Sequence, residues 1–152
     1  MDATEPRDLV VPSPALALTG RVLFALIFFL SGITHFTRLA QYVALMPAGI
    51  PFRPFWVMIS AVVELAGATL VVTNYRPRLG AWLIVLFLVP VTITVHGVAL
   101  ATTPDPVMRD IQTSFFLKGL TMTGAALLIT QLAVAPRRVS EPILSQRYSA
   151  WE

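Results

Sequence analysis

"VMISAVVELAGATLVV", residues 57–72, contains one ionisable side chain, Glu64, among small and apolar residues. About ten uncharged residues lie on either side of this carboxyl group. The uncharged run extends from about Pro54 to Asn74, close to the roughly 20 residues that an α-helix needs to cross a bilayer. The run therefore predicts a membrane-spanning helix with an acid near its middle, and the presence of that acid needs an explanation.

The composition of the whole chain is that of an integral membrane protein. Of its 152 residues, 56% are hydrophobic and 12% are charged, whereas soluble domains carry about 25% charged residues. Three further apolar runs are long enough to span a bilayer, and they extend from about Ala15 to Phe36, from about Leu79 to Ala101 and from about Ile111 to Val134. The sequence therefore predicts one all-α domain over residues 1–152, an integral membrane four-helix bundle. Pro90 falls inside the third run and predicts a kink, which a membrane bundle tolerates.

The connection between the first two spans predicts a short additional helix. Its apolar residues recur at the spacing of one helical face, at Leu39, Tyr42, Val43 and Met46. Proline and glycine residues between Pro47 and Pro51 end this pattern. We therefore expect an amphipathic helix that lies at the membrane surface. The alternative is an irregular loop packed over the end of the bundle.

The distribution of arginine predicts the orientation of the bundle. Ten of the eleven basic residues are Arg, and the formal net charge is +3. Seven arginines fall on the side of the two termini: Arg7, Arg21, Arg76, Arg78, Arg137, Arg138 and Arg147. Three fall on the opposite side: Arg38, Arg53 and Arg109. Because basic residues are enriched on the cytoplasmic side, we expect a bacterial inner-membrane protein with both tails, residues 1–14 and 135–152, in the cytoplasm.

Five ionisable side chains lie within the predicted spans, where each costs about 3 kcal/mol or more unless it has a partner or a role. They are Arg21, His35, Glu64, His96 and Lys118. Counted along each helix at about 1.5 Å per residue, all except Arg21 fall in the half of the membrane away from the termini. These four groups lie on four different helices, so the sequence predicts a polar core in that half of the bundle.

The polar and small residues of each span fall on one helical stripe, which predicts the members of this core. Glu64 and Lys118 differ in depth by about one helical turn and are the expected ion pair. We expect Glu64, Lys118 and His96 to be catalytic. A second group is expected to bind the ligand: His35, Thr92, Ser114, Thr121 and Ser60.

Alternatives to these roles stay open. The Glu64–Lys118 pair is also consistent with a structural salt bridge that fixes the helix register, because a buried ion pair seldom stabilises a protein on balance. His35 is also consistent with a residue of the membrane boundary. Arg21, at the opposite boundary, is expected to be structural.

Several classes of chemistry are excluded or disfavoured. The chain has no Cys, so it cannot carry out thiol–disulfide chemistry or hold an iron–sulfur cluster through thiolates. His35 and His96 could face each other as haem or metal ligands, but they differ in depth and belong to no dense ligand motif, so we expect no metal site. The sequence contains no Gly-rich phosphate loop, no Ser–His–Asp pattern and no nucleic-acid-binding signature.

Three stretches, taken in order, resemble the DoxX family of small four-helix membrane proteins. They are "GRVLFALIFFLSGITHF", then "ELAGATLVV" followed by "RPRLGAWLIVLFL", and finally "QTSFFLKGLTMTGAALLI". The resemblance places Arg21, Glu64 and Lys118 at polar positions of the family. It also shows two departures, because His35 and Gly119 stand where relatives often have Lys and Asn.

What the resemblance implies about function is modest. Relatives include membrane subunits of oxidoreductase complexes, one of them a thiosulfate:quinone oxidoreductase. The resemblance therefore implies a redox-associated subunit, and we expect it to bind a quinone or a similar lipophilic small molecule in the polar core. The alternatives are a stand-alone intramembrane acid–base enzyme, such as an isomerase, cyclase or hydrolase, and a non-catalytic scaffold. Besides the lipid bilayer and this ligand, the partners considered are a redox protein and, in a homo-oligomer, a second copy of the chain.

Overall fold

A computed structural model of the protein describes residues 13–132, and within that range the chain forms helices and turns without β-strands. The helices are α1 (Pro14–Thr37), α2 (Leu39–Leu45), α3 (Arg53–Val72), α4 (Pro77–Val91), a π-helical segment (Thr92–Gly97), α5 (Val98–Thr102) and α6 (Pro106–Leu132). The predicted cytoplasmic tails lie almost wholly outside the described residues, as do the last two residues of the predicted fourth span.

Four of these helical units are long and apolar enough to cross a membrane: α1, α3, the continuous rod Pro77–Thr102, and α6. The prediction of an all-α membrane bundle is confirmed. The end of the bundle that carries Pro14 and Leu132 is called the tail end below, and the opposite end, which carries α2, is called the α2 end.

The four spans pack in chain order. Extensive contacts join α1 to α3, α3 to α4 and α4 to α6, and no comparable contact joins α1 to α6 within residues 13–132. The apolar core lies in the half nearer the tail end, where the most buried residues are Ala25, Phe28, Ala68, Ile84, Leu88 and Ala126. In the α2 half, the buried polar side chains Glu64 and His35 lie beside the smaller apolar residues Val57 and Ala61.

Glycines allow the spans to approach closely. A Cβ on Gly80 would lie 2.7 Å from the carbonyl oxygen of Gly67, so the backbones of α3 and α4 are nearly in contact there. A Cβ on Gly119 would collide with the hydroxyl of Thr92, which fixes the face that α6 turns toward the rod. Small residues at such crossings are typical of membrane helices.

The predicted short helix in the first connection is present as α2, so an irregular loop is the wrong alternative. Arg53, the first residue of α3, donates from Nη1 to the carbonyl oxygens of Val43 and Met46 at 3.4 Å each. These carbonyls lie at the C-terminal end of α2, where backbone acceptors lack helical partners. Tyr42 points toward α1, where its hydroxyl forms a 2.7 Å hydrogen bond with Thr34. The placement of α2 at a membrane surface stays a prediction.

α6 begins at Pro106, earlier than the Ile111 expected from hydropathy. The carboxylate of Asp105 accepts hydrogen bonds from the backbone N–H groups of Val107 and Met108 at 3.3 Å each. This is an N-terminal cap followed by proline at the first helical position, and both features favour helix initiation. The first turns of α6 are therefore helical although their residues are mostly too polar to be recognised as part of a membrane span.

The predicted disturbance at Pro90 takes the form of a π-helical segment rather than a simple kink. Pro90 has no N–H group to donate to the helix, and the wider π turn follows at Thr92–Gly97. The hydroxyl of Thr94 donates to the carbonyl oxygen of Pro90 at 2.8 Å. Such segments are rare and often occur at functional sites; this one carries Thr92 and His96.

Candidate functional site

Glu64 is buried in the bundle, and its partner is His35. The carboxyl side chain is 1% exposed and His35 is 6% exposed. The distance from Nδ1 of His35 to Oε2 of Glu64 is 3.0 Å. The predicted contact between Glu64 and Lys118 is therefore wrong: Lys118 is exposed on α6, and its ammonium lies 5.5 Å from the centre of the Phe115 ring. His35 is an interior residue and not a boundary residue.

The imidazole ring of His35 is held from three sides. Nδ1 lies 2.9 Å from the carbonyl oxygen of Ser31, one turn earlier in α1. The ring of Tyr42 stacks on the imidazole with 3.9 Å between ring centres, and Phe87 of α4 meets it edge-on at 6.3 Å. Because a carbonyl oxygen only accepts hydrogen bonds, Nδ1 carries the ring hydrogen.

The carboxyl group keeps spare capacity to accept hydrogen bonds. Neither Oε1 nor Oε2 of Glu64 receives a well-aligned hydrogen bond from residues 13–132. The short distance to His35 therefore reflects proximity, while the Nδ1–H group is directed toward the Ser31 carbonyl oxygen. Buried acceptors are normally satisfied, so an unsatisfied one requires an explanation such as a bound ligand or a catalytic role.

A chain of polar groups links this acid to the α2 end of the bundle. The hydroxyl of Thr34 donates to the carbonyl oxygen of Ser31 at 2.8 Å and also contacts the hydroxyl of Tyr42. Ser31, Thr34, His35, Tyr42 and Glu64 form a unit that we call the Glu64 cluster. Sequence reasoning missed Ser31, Thr34 and Tyr42 as members. The spacing of Ser31 and His35 by four residues, one helical turn, was the available signal.

His96 belongs to a second group of side chains on the other side of the rod. Its Nδ1 lies 3.0 Å from Oε1 of Gln112 on α6. Its ring stacks on Phe115, with centres 5.3 Å apart, and Lys118 approaches the same ring. We call His96, Gln112, Phe115 and Lys118 the Phe115 cluster. The structure thus separates the three predicted catalytic residues, with Glu64 in one cluster and His96 and Lys118 in the other.

The remaining predicted residues do not converge on Glu64. Ser60 is half-buried and donates to the carbonyl oxygen of Val57 at 2.8 Å. Thr92 is buried against Gly119, and its hydroxyl has no hydrogen-bond partner among the described residues. Arg21 is half-buried, and its Nε likewise has no hydrogen-bond partner in residues 13–132.

The inward stripe predicted for α6 is wrong. Ser114, Lys118 and Thr121 are exposed, and the two hydroxyls bond to backbone carbonyls of their own helix. The buried stripe of α6 contains Gly119, Ala126 and Thr130 instead. The physical reason is the close approach at Gly119, because the face with the smallest side chain comes nearest to the neighbouring helix.

Two depressions lie near these clusters. A groove of about 480 Å³ runs along the outer face of α1 and α3 and is lined by Phe36, Val62, Leu65, Ala66, Thr69 and Leu70. A smaller one of about 180 Å³ lies between the end of α2 and the rod. Neither is lined by Glu64 or His35.

The two histidines do not form a ligand pair. His35 contacts Glu64 and Ser31, and His96 contacts Gln112. In the part of the chain that the structure describes, no group of three or more His, Cys, Asp or Glu side chains is arranged to hold a metal ion.

Comparison with known proteins supports one assignment. The sequence model of the DoxX family matches residues 16–97, which is more than half of the chain. The matched region contains the whole Glu64 cluster and ends at the last residue of the π-helical segment. No curated protein and no solved structure matches the chain significantly.

Proposed function

The chain belongs to the DoxX family of membrane proteins, and from this premise we propose that it is a redox-associated membrane subunit that binds a quinone or a similar lipophilic molecule beside the Glu64 cluster. The observation that carries the proposal is the state of Glu64. Its carboxyl group is buried and lies 3.0 Å from a histidine, yet it has no well-aligned hydrogen bond from residues 13–132. Such a group is suited to bind a polar atom that the protein alone does not provide.

The chemistry of a quinone couple fits this arrangement, because the hydroxyl groups of the reduced quinol donate hydrogen bonds and the carboxylate of Glu64 accepts them. Reduction of a quinone consumes protons together with electrons, and the protons reach its carbonyl oxygens. His35 and Glu64 form an adjacent base and acid that can hold a proton and pass it on. Thr34 and Tyr42 continue the polar chain toward the α2 end. The chain has no Cys to exchange electrons, so in this proposal the electrons come from a redox partner protein.

The groove on α1 and α3 provides a place for the apolar part of the ligand. It is an open depression of about 480 Å³ lined almost wholly by apolar side chains on the outside of the bundle, so a ligand there would lie against lipid on one side. Two of its lining residues, Phe36 and Leu65, directly follow His35 and Glu64 in the chain. Because successive residues of a helix point about 100° apart, an apolar molecule in the groove would lie one helix face away from the cluster, and the Leu65 side chain would have to move for the polar end of the molecule to reach Glu64.

The proposal includes a location. Arginines of the described residues lie at both ends, with Arg21, Arg76 and Arg78 nearer the tail end and Arg38, Arg53 and Arg109 nearer the α2 end. The excess of arginine on the side of the termini, which predicts that both termini are cytoplasmic, comes from four residues outside the described range: Arg7, Arg137, Arg138 and Arg147. We propose that the protein lies in a bacterial inner membrane with its tail end in the cytoplasm.

The test is ligand binding by the full chain in mild detergent. The lipophilic molecules that purify with the protein are identified by mass spectrometry, and the affinity for a short-chain ubiquinol, the reduced form with donor hydroxyls, is then measured. Glu64→Gln should weaken binding about tenfold or more, because a hydrogen bond from a quinol hydroxyl to a charged carboxylate contributes about 1.5–3 kcal/mol. Ala66→Phe should also weaken it, because the ring would fill the groove. Asp110→Asn, the same acid-to-amide change outside the cluster, should leave the affinity unchanged.

A non-catalytic scaffold is the second candidate, and one observation favours it: neither depression is lined by Glu64 or His35. If the Glu64→Gln protein is folded and binds the quinol as tightly as wild type, or if wild type binds no quinol, the scaffold replaces the first proposal. His35 and Glu64 would then serve to join α1 to α3.

A further inference from the structure

Lys118 is the one lysine of the chain, and it is not part of the Glu64 cluster. It lies on α6, the least apolar of the four spans, and is exposed on the outside of the bundle. Within residues 13–132 no carboxylate lies within salt-bridge distance of Lys118. A lysine on the membrane-facing side of a span is costly, so the position of its ammonium group indicates what this side chain does.

The ammonium group is directed toward the α2 end. In a helix, side chains lean toward the N-terminus, and the N-terminus of α6 is at the α2 end. The position of Nζ near the ring of Phe115, three residues earlier, agrees with this direction. Polar residues occupy α6 as far as Ser114, one turn (about 6 Å) above Lys118. The lysine stem can cover that distance, which brings the charge to the boundary between hydrocarbon and headgroups.

Neighbouring side chains make this more than an isolated lysine at the boundary. Both groups approach the Phe115 ring, whose centre lies 5.5 Å from Nζ of Lys118 and 5.3 Å from the centre of the His96 ring. Gln112 engages Nδ1 of His96 at 3.0 Å. Because the amide oxygen of Gln112 accepts, Nδ1 carries the ring hydrogen, and Nε2 is the acceptor nitrogen of this tautomer. Lys118 therefore supplies the positive charge beside this aromatic ring, and His96 and Gln112 supply polar surroundings.

We propose that the Phe115 cluster binds the phosphate group of a phospholipid in the leaflet at the α2 end. A phosphate is the anion that membranes supply at this depth, and basic side chains between spans are known to bind lipid headgroups. A second copy of the chain fits less well, because a symmetric contact through this face of α6 would place Lys118 opposite Lys118. This site is independent of the proposed quinone site.

The test measures lipid retention by the full chain. The protein is incorporated in nanodiscs that contain equal parts of phosphatidylglycerol and phosphatidylcholine, extracted with mild detergent, and analysed by native mass spectrometry. Wild type should retain phosphatidylglycerol preferentially. Lys118→Gln should reduce that preference roughly fivefold, the usual contribution of one lysine at an anionic membrane surface. Lys118→Arg should keep it.

The control is Arg38→Gln, which removes one positive charge from another exposed residue at the same end of the bundle. It should retain lipid as wild type does. Equal retention by wild type and Lys118→Gln would overturn the proposal, and so would an equal loss in Arg38→Gln, because that would indicate net charge alone. It would also be overturned if Lys118 were found crosslinked to a carboxylate of a co-purified protein with no lipid retained. Binding of the ubiquinol by Lys118→Gln separates this result from the fate of the quinone proposal.

Discussion

Removing His35 alone should destabilise the protein more than removing His35 and Glu64 together. The two side chains are 6% and 1% exposed and are separated by 3.0 Å, so solvent does little to screen either group. Removal of one partner of a buried polar contact costs about 1–3 kcal/mol, because the other group is left buried without compensation. Replacement of both partners by apolar residues is often neutral or favourable.

The magnitudes for this protein follow from its contacts. His35→Leu should lower the free energy of unfolding by about 1–3 kcal/mol, because it leaves the buried carboxyl group of Glu64 against an apolar side chain, and loss of the stack on Tyr42 adds about 0.5–1.5 kcal/mol. The double variant His35→Leu/Glu64→Leu loses the stack but leaves no unpaired acid. Its free energy of unfolding should therefore lie within about 1.5 kcal/mol of wild type, which makes the two substitutions strongly non-additive.

The assay is equilibrium unfolding in mixed micelles with increasing sodium dodecyl sulfate, followed by tryptophan fluorescence. A control double-mutant cycle combines Glu64→Leu with His96→Leu, whose side chains lie in different clusters. The changes that these two substitutions cause in the free energy of unfolding should add within about 0.5 kcal/mol. Additive effects of His35→Leu and Glu64→Leu would refute the reasoning. A stable double variant that no longer binds quinone would identify the pair as a site and not only a structural link.

Two further predictions concern packing and the α2 end. Gly119→Ala should lower the free energy of unfolding by about 1–3 kcal/mol, because the added methyl group collides with Thr92. Gly124→Ala, where a Cβ meets nothing within 4 Å, should change it by less than about 1 kcal/mol; equal losses in the two variants would contradict the close approach. Tyr42→Phe keeps the stack on His35 but removes the hydrogen bond to Thr34 and should cost about 0.5–1.5 kcal/mol. Hydrogen exchange of the α2 amides should then be faster, and unchanged exchange would show that the hydroxyl does not hold α2.

The architecture could be predicted because its signals are local. Three signals each depend only on nearby residues, and each corresponds to a helical feature of the structure. The apolar runs correspond to the four spans, the stripe that contains Tyr42 to α2, and Pro90 to the π-helical segment. The start of α6 at Pro106 was missed because hydropathy identifies only the residues that are apolar enough to lie in the hydrocarbon of the membrane. The helix itself is started by the cap at Asp105, which lies in the polar segment before it.

The site was predicted only in part, because helix rotation depends on contacts between spans. The burial of Glu64 and its need for a partner followed from its sequence surroundings alone. The identity of the partner did not, since it depends on which face of α6 meets the rod. Gly119 decides that face through its approach to Thr92, and Lys118 is thereby turned outward. The depth of a residue along its helix can be counted from the sequence. The neighbour that its side chain faces cannot, because that depends on how each helix is rotated about its own axis.

The π-helical segment between Thr92 and Gly97 can also be considered in terms of chain length. A π turn contains one residue more than an α turn, so the segment acts as a single-residue insertion that is accommodated without a loop. The wider turn absorbs the rotation of about 100° that an added residue would otherwise impose on the rest of the rod, so the residues after Gly97 keep their face toward α6. Deletion of one residue there would restore α-helical geometry and displace mainly the side chains of the segment itself, among them Thr92 and His96, while His35 and Glu64 would keep their contact on other helices. The length of this segment therefore sets how Thr92 meets Gly119 and how His96 meets Gln112.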